Sequence, residues 1–262
     1  MMMARREPAS ATESATTRSD GRRDWLLAID TATIRAIVAA GAPDGSPLGV
    51  TTWVAGRTHG EQLLPAIGRL HGEANLRRSR IRGVIVGTGP GAFTGLRVGI
   101  ATAKALAHEL GVPIVGVSTG AALLAAAAAD EDNAARPADP KPADVGAHPA
   151  TRFVLLLPAG PNDRLAVRAE VAPVLLPGGT DPNLLDDEVL VAVDLDGRAP
   201  ADAVARGERA RDGLAPALVG LGAARLRTGD VDDLARLVPE YVSLPRGVHA
   251  ETGEVAWSRD HR

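Results

Sequence analysis

The chain has 262 residues, enough for two modest domains, and its 45% hydrophobic and 23% charged residues are ordinary for a globular protein. Aromatic residues make up only 2% and the formal net charge is −3, which excludes a broad base-stacking platform and argues against a chain that grips nucleic acid by itself. No cysteine is present, so disulfides, thiolate metal sites and a cysteine nucleophile are excluded. Residues 1–24 are rich in Ser, Thr, Arg and Ala, and no apolar core follows Arg5-Arg6. They are expected to form a disordered tail without an export signal. No apolar stretch reaches the length of a membrane span, and a cytoplasmic location is expected.

Order is predicted to begin at Trp25. The run 25–30 is apolar and ends in Asp30, as a buried strand would. Strand-like runs at 35–41 and 48–54 follow, separated by the turn signals Pro43-Asp44-Gly45 and Ser46-Pro47. A helix is predicted over 59–70 from Leu63, Leu64, Ile67 and Leu70. Thr58 is its expected N-cap, Glu61 completes a capping box, and Pro65 should bend or shorten it. A fourth strand at 83–87 leads through a Gly-rich turn into a helix at 95–110. A fifth strand at 113–117 leads into an Ala-rich helix at 119–129, with Ser118 as its N-cap. The order β-β-β-α-β-α-β-α matches half of an actin-like (ribonuclease-H-like) duplicated α/β fold.

The pattern breaks at 130–150, where Pro137, Pro140, Pro142 and Pro149 mark a linker. A second, less regular apolar series follows at 153–157, 165–172, 189–193 and 217–221. Helices are predicted near 201–211 and 231–238. The chain therefore divides into a tail (1–24), a first domain (25–129), a Pro-rich linker (130–150), a smaller second domain (151–244) and a polar tail (245–262).

The segment from Gly87 to Gly99, Gly-Thr-Gly-Pro-Gly-Ala-Phe-Thr-Gly-Leu-Arg-Val-Gly, has five glycines between a strand and a helix. Such a loop suits phosphate binding by backbone N–H groups at a helix N-terminus. It lacks the Gly-Lys-Ser/Thr of a Walker loop. Gly87, Gly89 and Ala92 fit the looser dinucleotide fingerprint, but Pro90 sits inside the turn and the strand is fourth rather than first. The alternative is a tight turn that needs positive φ. In the helix beyond, Gly95, Gly99, Ala103 and Ala107 recur every four residues and make one face nearly flat. Leu96, Ile100, Leu106 and Leu110 form an adjoining ridge, and burial on two sides, one of them against a partner helix, is expected.

Four ordered segments resemble the TsaB/YeaZ family: Leu27-Ala-Ile-Asp-Thr-Ala-Thr33, His59-Gly-Glu-Gln-Leu-Leu-Pro65, Gly89 to Gly99 with Ala103-Lys-Ala-Leu-Ala107, and Val115-Gly-Val-Ser118. Pro239-Glu-Tyr-Val242 is similar to a closing Pro-x-Tyr segment of that family. The resemblance implies an actin-like fold with a decayed active site and no catalytic residue of its own. It implies pairing with a catalytic TsaD-type paralogue through first-domain helices, joined by a TsaE-type ATPase. The complex transfers a threonylcarbamoyl group to a tRNA adenosine, and tRNA is met only through the complex. Carried over by position, the partner surface would use His59, Leu63, Ile67, Phe93, Leu96, Arg97, Gly99, Ala103 and Lys104. The chain alone would form a homodimer through the same face. The second half departs from the family. Leu157 to Arg164 stands where an Asp-Ala-Arg-x-x-Glu-Val-Tyr-like strand pair is usual, and Arg168-Ala-Glu-Val171 is at best its remnant.

The competing reading is a self-sufficient actin-like ATPase or phosphotransferase. Asp30 and Thr31 stand where such enzymes hold phosphate and hydrated Mg²⁺, and Gly89 and Gly91 would complete the nucleotide site. ATP or ADP with Mg²⁺ at a subunit interface is the one cofactor to weigh. The six histidines, His59, His71, His108, His148, His249 and His261, contain no i, i+4 pair, so no metal site is predicted. Tyr241 and Trp257 read as packing or tail residues.

Overall fold

The computed structural model describes residues 23–55, 59–135 and 152–241. Thr58, Val242, Trp257, both tails and most of the Pro-rich segment lie outside the described residues, as does the side chain of His59.

The first sheet has five strands in the order β3-β2-β1-β4-β5. They are β1 (Trp25–Asp30), β2 (Arg35–Gly41), β3 (Pro47–Val54), β4 (Ile81–Gly87) and β5 (Ile114–Val117). The first three form an antiparallel meander, and β4 and β5 add in parallel to β1. β1 is apolar at almost every position because both of its faces are covered. Trp25, Leu27 and Ile29 join a core with α1 (His59–Glu73) and α2 (Phe93–Leu110). Leu26 and Ala28 point the other way, into a core with α3 (Thr119–Ala135) and α5 (Leu214–Thr228).

The second sheet has the order β8-β7-β6-β9, from β6 (Arg152–Pro158), β7 (Arg164–Arg168), β8 (Val171–Leu176) and β9 (Glu188–Ala192). β6, β7 and β8 pair antiparallel, and β9 lies parallel to β6. This is the pattern of β3-β2-β1-β4, with no strand in the fifth position among the described residues. Helix α4 (Ala201–Asp212) packs Ala203 against its outer face, with Val154, Leu156 and Ala192.

Several sequence expectations are corrected. The helix through Pro65 is not shortened and runs to Glu73. Pro65 is exposed, on the solvent side of the helix, where a carbonyl left without its helical N–H is open to water. The Ala-rich helix continues to Ala135, past the expected boundary at 129. The single strand expected over 165–172 is two, because Ala169-Glu170 makes a tight turn with Glu170 at φ 58°. Arg168-Ala-Glu-Val171 is therefore the turn of a complete hairpin. The stretch 217–221 is helical, inside α5.

No helix forms over 231–238. There the chain runs beside β5, with the Asp232 N–H donating to the Ile114 carbonyl at 2.9 Å. α5 returns to the first sheet, where Val219 fills the space left by the missing side chain of Gly41, and Ile85 fills that of Gly222. Residues 214–241 thus pack with the first half of the chain.

Candidate functional site

The ends of β1 and β4 and the start of α3 converge on Asp30. Its carboxylate is wholly buried. One oxygen accepts the Ala32 N–H at 2.8 Å and the other accepts the Thr119 hydroxyl at 2.6 Å. Thr119 Oγ1 in turn accepts the Gly89 N–H at 3.1 Å. Burial pushes the Asp30 pKa up to about 6, against the opposing pull of those two hydrogen bonds. The Gly-rich loop closes over this group. A side chain at Gly87 would strike the Asp30 carboxylate, and one at Gly91 would strike the Ala32 carbonyl. The Ala92 N–H donates to that same carbonyl at 2.7 Å. Ser118 caps α3 as expected. Its hydroxyl donates to the Gly89 carbonyl and receives the Ala121 N–H.

This arrangement engages the nucleotide candidates Asp30, Thr31 and Gly89 within the chain and sets Gly91 against Ala32. Both Asp30 oxygens are engaged inside the protein, and the Thr31 hydroxyl donates to the Gly95 carbonyl at 2.7 Å. Gly89 is at φ 107° and packs against Leu96 and the Glu240 carbonyl. A hydrated Mg²⁺ on Asp30 does not fit these residues as they are placed. The cleft beside them, about 470 Å³, lies between the β1–β2 turn, the loop before α2 and the β6–β7 turn. Asp194 ties its two sides together, accepting the Ile34 N–H at 2.7 Å and Arg211 at 2.8 Å.

A strap over residues 229–241 locks the loop from outside. Arg225 anchors it through Asp230 and Asp232 and also donates to the Gly116 carbonyl. The Thr88 hydroxyl donates to the Glu240 carboxylate, and the Glu240 N–H donates to the Thr88 carbonyl. Tyr241 stacks on Phe93 at 5.2 Å between centroids, Arg97 donates to its hydroxyl at 3.0 Å, and Lys104 donates to the Leu237 carbonyl at 3.2 Å. Phe93, Arg97 and Lys104, expected at a partner surface, thus hold this chain's own strap. Arg225→Ala is expected to lower stability by about 2 kcal/mol, since a carbonyl and two carboxylates lose their donor together. Urea unfolding would read the loss, and an unchanged midpoint would show the anchor to be idle.

The small-residue stripe on α2 is also internal. Gly95, Gly99, Ala103 and Ala107 are all buried against the chain's own sheet, with Gly99 against the Thr31 side chain. Leu63 and Leu96, each 1% exposed, belong to the interior. Of the expected contact residues whose side chains are described, Ile67 alone lines the open groove between α1 and α2.

That groove, about 870 Å³, is bordered by Leu64, Ile67, Gly68, Ala105 and Leu106. Leu64 is 60% exposed. A side chain added at Gly60, Gly68 or Gly72 would meet nothing. With Leu64 these glycines form the outward flat stripe, four residues apart along α1. Their spacing was present in the sequence, but periodicity could not tell an outward stripe from an inward one. Nothing in the sequence singled out Thr119, Thr88 or Asp194, which act through contacts distant along the chain. Among the described residues no cluster of three metal-ligating side chains occurs, and no helix is long and apolar enough to cross a membrane.

Comparison with known proteins places this geometry. The family model described as TsaD, tRNA N6-adenosine threonylcarbamoyltransferase, matches residues 40–140. The tRNA threonylcarbamoyladenosine biosynthesis protein TsaB of Haemophilus influenzae is 34% identical over 102 residues, covering 39% of this chain and 42% of that protein. The crystal structure of YeaZ from Pseudomonas aeruginosa superposes with a TM-score of 0.61 at 23% identity, covering 84% of this chain and all of that one. The first half of the chain is similar in sequence to these proteins, and its fold is that of YeaZ. An uncharacterized protein of Mycobacterium leprae is 44% identical over 95 residues, covering 35% of this chain and 26% of that protein. The chain spans less than half the length of these curated relatives. The YeaZ fold nevertheless extends through the second half, so the departure from the family motif there is one of sequence and not of architecture.

Proposed function

We propose that this chain is a non-catalytic partner subunit in the synthesis of threonylcarbamoyladenosine on tRNA, and that it docks a TsaD-type paralogue through the groove between α1 and α2. The observation that carries the reading is the sealed Asp30. The group that would serve phosphate chemistry is engaged by Ala32 and Thr119, while Leu64, 60% exposed, and Ile67 offer apolar surface along α1. The matched TsaD family model covers α1 and α2, so a TsaD-type partner would bring a related helix pair. Two such pairs facing each other would meet as a near-symmetric four-helix contact. The glycines of α1 would let the axes approach towards the short end of the usual ~8–10 Å range.

In this proposal the two sheets descend from one duplicated actin-like unit, with the fifth strand of the second copy lost. The strand orders support that reading. A TsaE-type ATPase and tRNA are met only in the assembled complex, in the cytoplasm, and the free chain pairs with itself through the same groove. Any nucleotide with Mg²⁺ is assigned to a boundary between subunits and not to Asp30.

The test is reconstitution with the TsaD-type protein of the same organism. Co-elution of the two chains, and tRNA modification only when both are present, is the expected result. Absence of a complex, together with ATP hydrolysis by this chain alone, would overturn it.

A further inference from the structure

The densest run of positive charge in the chain lies away from the Asp30 site. Residues 77–82, Arg-Arg-Ser-Arg-Ile-Arg, hold four arginines in six positions, in a chain whose net charge is −3. They form the short 3-10 turn Arg78–Arg80 and the first two residues of β4. Ile81 pairs with Trp25, so this run sits where β1 and β4 begin, at the opposite end of β1 from Asp30. Ile81 points into the core with α1 and α2, and Arg82 therefore emerges on the other face of the sheet. Arg80 and Arg82 lie side by side, reaching one oxygen of Asp24 at 3.4 and 3.0 Å, with side chains 38% and 47% exposed. Arg78 stands on the helix side, where it lines the end of the groove between α1 and α2 with Glu109. Arg77 is exposed, and its carbonyl accepts the Trp25 indole N–H at 2.9 Å. Among the described residues neither Arg77 nor Arg78 has an acidic partner. Asp24 offsets one of the four charges, and Glu73 and Glu109, at the ends of α1 and α2, are the next acids on these elements.

A lone carboxylate or phosphate could occupy only one or two of these guanidinium groups. Four of them, on both sides of one sheet edge, fit a polyanion whose charges repeat, and the planar fork of Arg suits phosphate oxygens. Trp25, the aromatic residue at this edge, is fully buried. No base can stack on it, so contact falls to the backbone of the polyanion. Through Arg78 the edge also adjoins the groove, which makes it continuous with the surface that would meet a partner. We propose that the arginines of residues 77–82 bind the phosphate backbone of tRNA without reading its sequence, and so extend the RNA-binding surface of the assembled complex. This rests on the proposed role in tRNA modification, which identifies the polyanion. The magnitude suits that role. About three net phosphate contacts give log affinity a slope of about −2 to −3 against log salt. The chain alone then binds RNA at low salt and releases it at physiological salt, where only the complex retains it.

The experiment follows the anisotropy of a labelled tRNA transcript titrated with the full chain alone at low salt, and with the co-eluted pair at physiological salt. The variants are Arg77→Ala with Arg82→Ala, Arg77→Lys with Arg82→Lys, and Arg152→Ala on the second sheet, whose side chain is 60% exposed. Neither Arg77 nor Arg82 lines the docking groove, so the double variants should co-elute with the partner as the parent does. The Ala pair should weaken tRNA binding about tenfold and flatten the salt slope by about 2. The Lys pair, which keeps the charge, should keep the slope, and Arg152→Ala should bind as the parent. A transcript of unrelated sequence should bind the parent equally well. An Ala pair that binds tRNA as tightly as the parent would overturn the proposal, as would an equal loss from Arg152→Ala, which would reduce the effect to net charge. A Lys pair as weak as the Ala pair would also overturn it, by tracing the loss to local structure. A parent chain that ignores tRNA at low salt but binds phosphatidylserine vesicles would overturn it in favour of a lipid surface. If the two proteins fail to co-elute while the chain alone shows the expected losses, the docking reading falls and this proposal stands.

Discussion

Gly99→Leu is expected to unfold much of the population, whereas Leu64→Asp is expected to leave the fold intact and abolish partner binding. The two positions lie on neighbouring helices and read alike as points on small or apolar faces. At position 99 a side chain would grow into Thr31, whose hydroxyl is already committed to the Gly95 carbonyl at the same crossing. Overpacking plus the loss of a buried hydrogen bond should cost about 3–5 kcal/mol, a large part of the ~5–15 kcal/mol that stabilises a domain. Position 64 is exposed, so the free chain should change by only about 0.5 kcal/mol. In the complex, a carboxylate would be buried in an apolar groove, and a loss of about 100-fold or more, ~3 kcal/mol, is expected. Urea unfolding and calorimetric titration of both variants separate the cases. A stable Gly99→Leu chain that no longer binds would return the interface to the α2 stripe.

Stability should fall as pH rises from about 4 to 6, against the common trend for proteins rich in ion pairs. The cause is Asp30. Its ordinary pKa of 3.8 is raised to about 6 by burial, so between those values the folded state holds a proton that the unfolded state has released. Folding then binds more protons than unfolding, and stability declines as pH rises. The difference of 2.2, from 6 − 3.8, corresponds to ~3 kcal/mol at ~1.36 kcal/mol for each pH unit. That contribution is fully present below pH 4 and lost above 6. Glu188 acts in the opposite sense. The Arg168 guanidinium, 2.7 Å away, holds its carboxyl down to about 2 from 4.5, so its contribution is present above pH 4.5 and lost on acidification below it. A stability maximum near pH 4–5 is the expected outcome. Asp30→Asn keeps an acceptor for the Ala32 N–H and removes the charge. The variant should show equal urea midpoints at pH 4.5 and 7.5, while the parent is less stable at 7.5. Equal midpoints in the parent would mean that Asp30 titrates normally and that the site is not sealed.

Much of this protein was legible in the sequence by itself. The strands at 25–30 and 35–41 appear where apolar runs end at Asp30 and Gly41. The block from Gly87 to Gly99 is a strand-to-helix turn, Ser118 is a cap, and the family resemblance was carried by short ordered motifs. These are local properties, in which periodicity, turn chemistry and spacing act over a few residues. What the tertiary structure decided was direction. The stripe Gly95, Gly99, Ala103, Ala107 and the stripe Gly60, Leu64, Gly68, Gly72 have the same four-residue spacing. Only the position of the first sheet turns one inward against Thr31 and leaves the other in the open. The same holds for Asp30. Its neighbours in sequence suit a phosphate site, and it is Thr119, 89 residues away along the chain, that consumes its second oxygen. The stretch 231–238 has apolar residues enough for a helix, but pairing with the edge of β5 and the anchor at Arg225 draw it out into a strap. A helix's period is written in its own residues, whereas the face it buries and the partner its polar atoms find are set by elements far away in the chain.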